Sequence, residues 1–401
     1  MKISSVNLCL LILFLFSINF INNESRILLL LFFLVMWLIH EWKLPITTTS
    51  IFLGIYSAIY YVFAAVYNSN MITYYIIPLL LGPFVGYSIG IALMQVMKTD
   101  KEKALKHIIY IIIAGRFAHG LLNFIVSNGY SGYLRNGVDF WTHSTLAATG
   151  QGALMTMSIS LLFYGIFILK KEKMVEKIVV LAAVVLSLLN NLMSASRTAI
   201  VIMVVVFLTC LIIYICLSKE NWLDKTKMIF GLLILVLVLA VLYKSNILGL
   251  RTYWETSPFY ERINTESDYI EGDENRINMI VNALENAWDN PLGDGDMTTT
   301  SHNLWLDALK QTGWIPFIML VIFTAVVIKR VIKILRCSAV SQEIKYLVLS
   351  IVLGVLFNFS VEPIMRGMPY YFVAFCIIAG AIEEFISRLD YNLSADYLER
   401  R

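Results

Sequence analysis

A chain of 401 residues that is 59% hydrophobic and 15% charged is too apolar for a soluble domain, whose apolar share is about 45–50%. A net charge of +3 says little about nucleic acid, because the positive residues belong to short loops, and no nucleic-acid partner is expected. The five cysteines (Cys9, Cys210, Cys216, Cys337 and Cys376) lie in or beside apolar runs without metal-ligand spacing, so they read as reduced packing residues and exclude a disulfide framework or zinc site.

Apolar runs near the ~20 residues that a bilayer-spanning helix needs recur along the chain. In lipid such runs must be helical, because backbone groups have to be satisfied within the segment. The expected fold class is all-α: a polytopic membrane protein with about twelve transmembrane helices. They fall at roughly 5–21, 27–43, 47–67, 71–97, 106–126, 145–169, 177–195, 198–218, 227–246, 313–335, 345–361 and 369–387. The segment from Met1 to Ile21 resembles a signal peptide in its apolar core. Asn19-Phe20-Ile21-Asn22-Asn23 offers no small-residue cleavage site, however, so a retained first helix is expected. The expected division is N-terminal helices over 1–126, central helices over 127–244, an extracytoplasmic loop with short helices over 245–312, C-terminal helices over 313–387, and a cytoplasmic tail over 388–401.

Charge sets the orientation. Lysine-rich loops around Lys98–Lys106, Lys170–Lys177, Lys219–Lys227 and Lys329–Arg336 alternate with loops nearly free of lysine. The positive-inside rule places the lysine-rich set and both termini in the cytoplasm, and the long loop between spans nine and ten outside. On that outer side arginine recurs, at Arg135, Arg197, Arg251, Arg262, Arg276 and Arg366. Its rigid bidentate fork suits phosphate, whereas lysine is a mobile point charge. Isolated arginines among many acids suggest specific anion sites. There is no internal repeat and no pair of matching broken helices of the kind inverted-repeat transporters show.

The stretch from Asn275 to Pro316 is the long polar interruption between apolar runs, and its single histidine is His302. Long ordered loops of this kind tend to carry function. Ser301 is the expected N-cap of a helix over 302–309, which puts His302 in the first turn, where a helix N-terminus favours anions and a neutral, proton-accepting imidazole. The alternative is an exposed surface histidine. Arg276 opens an amphipathic segment ending near Trp288, before a turn at Pro291-Leu292-Gly293; it serves either an anion or a nearby acid. Arg197 follows Asn190, Asn191, Ser194 and Ser196 in a polar hairpin, which fits a buried polar pocket or an arginine snorkelling to headgroups. Arg116 and His119 lie inside the fifth span, where ionisable groups face a cavity or a structural partner. Gly293-Asp294-Gly295-Asp296 reads as a tight turn in preference to an Asp-x-Asp metal site. Glu362, Pro363 and Arg366 line the same cavity or form a helix-end ion pair.

Three pieces carry a family resemblance: Ser194-Ala195-Ser196-Arg197-Thr198-Ala199 opening a span; Arg276 followed by Trp288, Pro291-Leu292-Gly293 and Gly295; and His302-Asn303-Leu304-Trp305-Leu306 followed by Gly313 and a new span. Asp139-Phe140-Trp141, Thr149-Gly150 and Glu362-Pro363 add to it. Together, over roughly residues 135–385, the sequence resembles the bacterial O-antigen ligase and O-antigen polymerase superfamily, membrane glycosyltransferases of GT-C-like architecture. The resemblance implies transfer of a glycan from undecaprenyl diphosphate on the outer leaflet to a sugar hydroxyl. The acceptor is another lipid-linked repeat in a polymerase and the lipid A core in a ligase. It implies that His302 assists the acceptor hydroxyl while Arg197 and Arg276 hold the diphosphate, with Arg116, His119, Arg135, Asn303, Glu362 and Arg366 as further cavity-lining candidates.

Arginine can do a metal's electrostatic work on a diphosphate leaving group, so the expectation is an inverting transfer with no metal and no cofactor. Expected partners are the undecaprenyl-diphosphate-linked oligosaccharide, the lipid bilayer, a chain-length regulator and a flippase. The rival from another class is a transporter or flippase for lipid-linked sugars, which Arg116 and His119 inside a span would suit.

Overall fold

The structure, a computed structural model, describes residues 5–20, 32, 35–36, 45–67, 81–97, 99–128, 136–218, 221–265, 271–296 and 299–399. Most of the expected second span and the first ten residues of the fourth (71–80) lie outside them, as does Arg135. Among the described residues six helices are long and apolar enough to cross a membrane: Lys101–Val126, Ala148–Ile168, Lys171–Met193, Arg197–Leu217, Trp314–Arg336 and Gln342–Phe359. Shorter apolar helices occupy the first, third and fourth expected spans, and helices Trp222–Ser245 and Pro369–Glu399 cover the ninth and twelfth. An all-α polytopic membrane protein is what these elements describe.

The chain divides into two compact units. The first comprises residues 1–119, 273–345 and 355–401. It holds α1 (Ser5–Ser17), α2 (Thr48–Tyr67), α3 (Gly82–Val96) and most of α4 (Lys101–Val126). Its core is the pairing of α3 with the helix Pro369–Glu399. Gly86 and Gly90, four apart on α3, let the two backbones touch: a Cβ on Gly90 would overlap the Ile377 carbonyl and come within 2.8 Å of the Ala381 nitrogen. Small residues at four-residue spacing permit this in lipid, where burying apolar surface gives little drive and close packing must supply it. Beside this pair an aromatic cluster forms around Phe359, whose ring lies 5.3–5.8 Å from those of Tyr371, Phe372 and Phe375, mostly edge-on. Each such pair contributes roughly 0.5–1.5 kcal/mol beyond burial.

The second unit comprises residues 120–272 and 346–354. The sixth span departs from expectation at its start. Residues 145–147 form a strand, β2 (Thr145–Ala147), antiparallel to β1 (Asn136–Val138), so the helix α5 begins only at Ala148 (Ala148–Ile159). The ribbon turns on Asp139, whose carboxylate accepts from the Trp141 and Thr142 backbone N–H groups and the Thr142 hydroxyl, each at 3.0 Å. A local Asx turn of this kind outcompetes the helix that the apolar pattern suggested. The unit continues with α6 (Met174–Met193), α7 (Arg197–Leu217), α8 (Trp222–Ser245), α9 (Leu250–Glu255) and α10 (Pro258–Thr265). Asn246, in the left-handed conformation (φ 51°), ends α8, and its Oδ1 accepts from the Arg251 and Thr252 N–H groups that open α9.

From Asp273 the chain returns to the first unit (apart from 346–354), with α11 (Glu271–Asp289, its first two residues in the second unit), α12 (Leu304–Thr312), α13 (Trp314–Arg336), α14 (Gln342–Phe359), α15 (Ile364–Gly367) and α16 (Pro369–Glu399). Large apolar side chains are exposed along α6, α7, α8 and α13, for example Ile178, Leu208, Leu237 and Ile322. An all-apolar exposed face on a long helix is a surface made for lipid.

Candidate active site

In the first unit, His302 sits in a short link with both neighbours locked. The Ser301 N–H and hydroxyl both donate to Asp307 Oδ1, at 2.5 and 2.7 Å, and Ser301 and Asp307 are each buried. Asn303 is the N-cap of α12: its Oδ1 accepts from the Trp305 and Leu306 N–H groups at 3.1 Å. This corrects the expected cap at Ser301. Asn303 satisfies two of the four orphan donors at the helix start, and the Ser301 hydroxyl donates to Asp307. His302 therefore stands one residue outside the helix.

Between the two locks the His302 backbone takes φ 56°, the left-handed region, at a cost on the order of 1 kcal/mol for a side-chain-bearing residue. Its ring is half-buried. A strained residue of this kind persists only where its surroundings over-determine it, and such residues gather at functional sites.

The Asn303 amide also donates to the Ser360 carbonyl at 3.1 Å, tying the His302 link to the bend that carries Glu362, itself buried. Trp305 meets Phe359 edge-on at 6.4 Å, Phe359 meets Tyr371, and the Arg116 guanidinium lies 5.9 Å from the Tyr371 ring centroid. Arg116 Nη2 donates to the Tyr370 carbonyl at 2.6 Å. A series of contacts within one unit thus runs from Asn303 and Trp305 through Phe359 and Tyr371 to Arg116, with His302 beside its start, buried Glu362 two residues past Ser360, and buried His119 one turn beyond Arg116. The side chains of Arg276 and Arg366 lie outside the described residues.

The Pro291-Leu292-Gly293 turn and Gly313 hold this region to the membrane-spanning α13. Gly293 (φ 88°) and Gly313 (φ 82°) occupy conformations that other residues rarely adopt, and a Cβ on either would strike backbone, of Gln311 at 2.6 Å or of Leu292 at 2.6 Å. The Trp314 N–H donates to the Pro291 carbonyl at 3.1 Å. Asp294 accepts from the Asn286 amide at 2.5 Å, and Lys310 lies 3.8 Å from Asp294 and 3.7 Å from Asp296. The acids of Gly293–Asp296 therefore close a turn around Lys310.

In the second unit, Arg197 is the first residue of α7, half-buried at the head of the helix. The residues before it reverse the chain: the Ser196 N–H reaches the Asn191 carbonyl at 2.9 Å over Ala195, which takes φ 53° in a helix-ending motif that usually uses glycine. Arg262 of α10 donates to the Ala195 carbonyl at 2.7 Å, a contact that sequence reasoning missed because no motif surrounds Arg262. The expected polar cluster is present. Asn190, Asn191, Ser194 and Ser196 are buried, and Gln151 bonds the Gly120 carbonyl, Asn190 and Asn123 at 2.6, 3.2 and 3.2 Å. Further out, the Glu255 carboxylate 2.7 Å from Arg251 holds that exposed guanidinium more firmly protonated. Asp307 was also missed; it does not stand at the three-residue spacing of a capping box from Ser301, so no local pattern marked it.

The model of the O-antigen ligase family matches residues 182–321. The resemblance to the O-antigen ligase and polymerase superfamily holds over that stretch, from α6 to the first two turns of α13. Arg197, Arg276 and His302 all fall within it, as do the strained Ala195 and the turn at Pro291-Leu292-Gly293. The match supports a membrane glycosyltransferase of O-antigen ligase or polymerase type. No curated protein matches the chain.

Proposed function

We propose that this protein polymerises undecaprenyl-diphosphate-linked oligosaccharide repeats into a surface polysaccharide, O-antigen or capsule, on the outer leaflet of the bacterial cytoplasmic membrane. The observation that carries the reading is His302, a half-buried imidazole on a strained backbone fixed by Asp307 and Asn303 within the family-matched stretch. In this reading the acceptor hydroxyl gives its proton to the imidazole as its oxygen bonds the donor's anomeric carbon. The carbon–oxygen bond to phosphate breaks from the opposite face, and the lipid diphosphate leaves as an anion, so the configuration inverts. A positioned base contributes typically ~10²–10⁴ in rate. Arg197 and Arg276 are assigned to the diphosphate, where guanidinium groups stabilise the developing charge. A flippase supplies the donor and a chain-length regulator acts on the product.

Replacing His302 with alanine is expected to leave a folded, membrane-inserted protein that accumulates single lipid-linked repeats. The purified wild type is expected to keep its activity in a chelator, because arginine carries the electrostatics. Normal chain lengths from the variant would remove the base role; activity lost to chelator and restored by a divalent cation would remove the metal-independent mechanism and promote Asp294 and Asp296. The description of the matched family as O-antigen ligase favours a second reading, transfer to lipid A core. Supplying purified core as acceptor separates the two, since only a ligase consumes it.

A further inference from the structure

The helix α11 divides into three faces. Ala283 and Ala287, 0% and 1% exposed, form the face against the protein. Asn278, Asn282, Glu285 and Asp289 form a polar, exposed face. Between them, Ile277, Ile280, Val281, Leu284 and Trp288 fall at the i, i+3, i+4, i+7, i+11 spacing of a single stripe. They are large and apolar, yet 37–76% exposed. In water such a stripe is a patch in want of a cover.

Two further observations say what covers it. The last turn of α11 is fastened to the first residue of α13: Trp314 Nε1 donates to the Ala287 carbonyl at 3.1 Å, and the Trp288 and Trp314 rings lie 5.6 Å apart. With 23 residues, α13 is roughly 34 Å long and matches a bilayer core, so its first residue lies at the membrane boundary. Leu292 in the turn after α11, and Ile315 and Ile318 in the first turns of α13, are large, apolar and exposed as well. Tryptophan at that level is the usual marker of the headgroup region.

We infer that α11 is an interfacial helix whose Ile277–Trp288 stripe lies in the headgroup–acyl boundary of the membrane. Its polar face carries acids and amides and no lysine, so attachment is apolar and zwitterionic lipid suffices. Seated this way, α11 holds the backbone of Arg276 at a fixed depth beside the bilayer; the seating itself does not depend on the chemistry proposed above.

The test uses the full chain in nanodiscs of phosphatidylcholine brominated either near the glycerol end or near the methyl end of its acyl chains. Subtracting the emission of Trp288→Phe from that of the wild type isolates Trp288. Most of this difference signal is expected to be lost with shallow bromines and less with deep ones, at low and high salt alike. A doubly substituted chain, Trp288→Phe with Asn282→Trp, moves the reporter to the polar face and is expected to resist quenching. An unquenched Trp288 overturns the inference, in favour of a second copy of the chain if the particles are dimeric. Equal quenching of the two positions overturns it too.

Discussion

At the residue scale, what distinguishes His302 from an ordinary loop histidine is the pair of side chains that force its backbone. Asp307 accepts both Ser301 donors in a buried setting, and Asn303 caps α12 while holding Ser360. Asp307→Ala leaves the buried Ser301 N–H without its acceptor, at about 1–3 kcal/mol, and the Ser301 hydroxyl with only the Asn303 carbonyl at 3.4 Å. The expected outcome is a less stable protein with strongly reduced polymerisation although His302 remains. Asp307→Asn keeps an acceptor oxygen and should restore most of both. Thermal unfolding in detergent and product chain lengths read the two effects, and wild-type turnover by the alanine variant would deny Asp307 any positioning role.

At the element scale, the α3–α16 pair shows how a sequence builds contact where water gives no help. Gly90 sits where a Cβ meets backbone of α16, whereas a Cβ on Gly54 would make ordinary contact with Phe84 at 3.5 Å. Gly90→Ala is therefore expected to cost on the order of 3 kcal/mol through overpacking. Gly54→Ala is expected to be neutral or to gain a few tenths through helix propensity. Comparable melting temperatures for the two variants would mean that the helices do not need their close approach. The same scale explains where apolar periodicity misled. Residues 145–147 read as the start of a span, but the Asp139 turn draws them into a ribbon.

At the scale of the whole molecule, the lysine-rich loops and the arginine-bearing ones alternate along the chain, and we propose that the latter face outward. Glu255 and Lys171 are both exposed, one on each kind of segment. In intact cells a membrane-impermeant thiol reagent is expected to label Glu255→Cys and to reach Lys171→Cys only after the membrane is opened. The Glu255 change removes an exposed ion pair worth little. The reverse labelling pattern would turn the protein over and place His302 in the cytoplasm.

Helix positions were legible in the sequence, because a segment in lipid must satisfy its own backbone and so declares itself by composition: the expected spans at 198–218 and 313–335 coincide within a residue with Arg197–Leu217 and Trp314–Arg336. The pieces around Arg197 and His302 were legible too, as short polar motifs stranded between apolar runs. Their geometry was not. That Ser301 serves Asp307 while Asn303 caps the helix, that Arg262 holds Ala195, and that the apolar stripe of α11 faces away from the protein are decided by which donor finds which acceptor, and which face finds cover, once the helices pack. Those choices depend on partners far away along the chain, as with Asn303 and the Ser360 carbonyl, and only the tertiary structure brings such partners together.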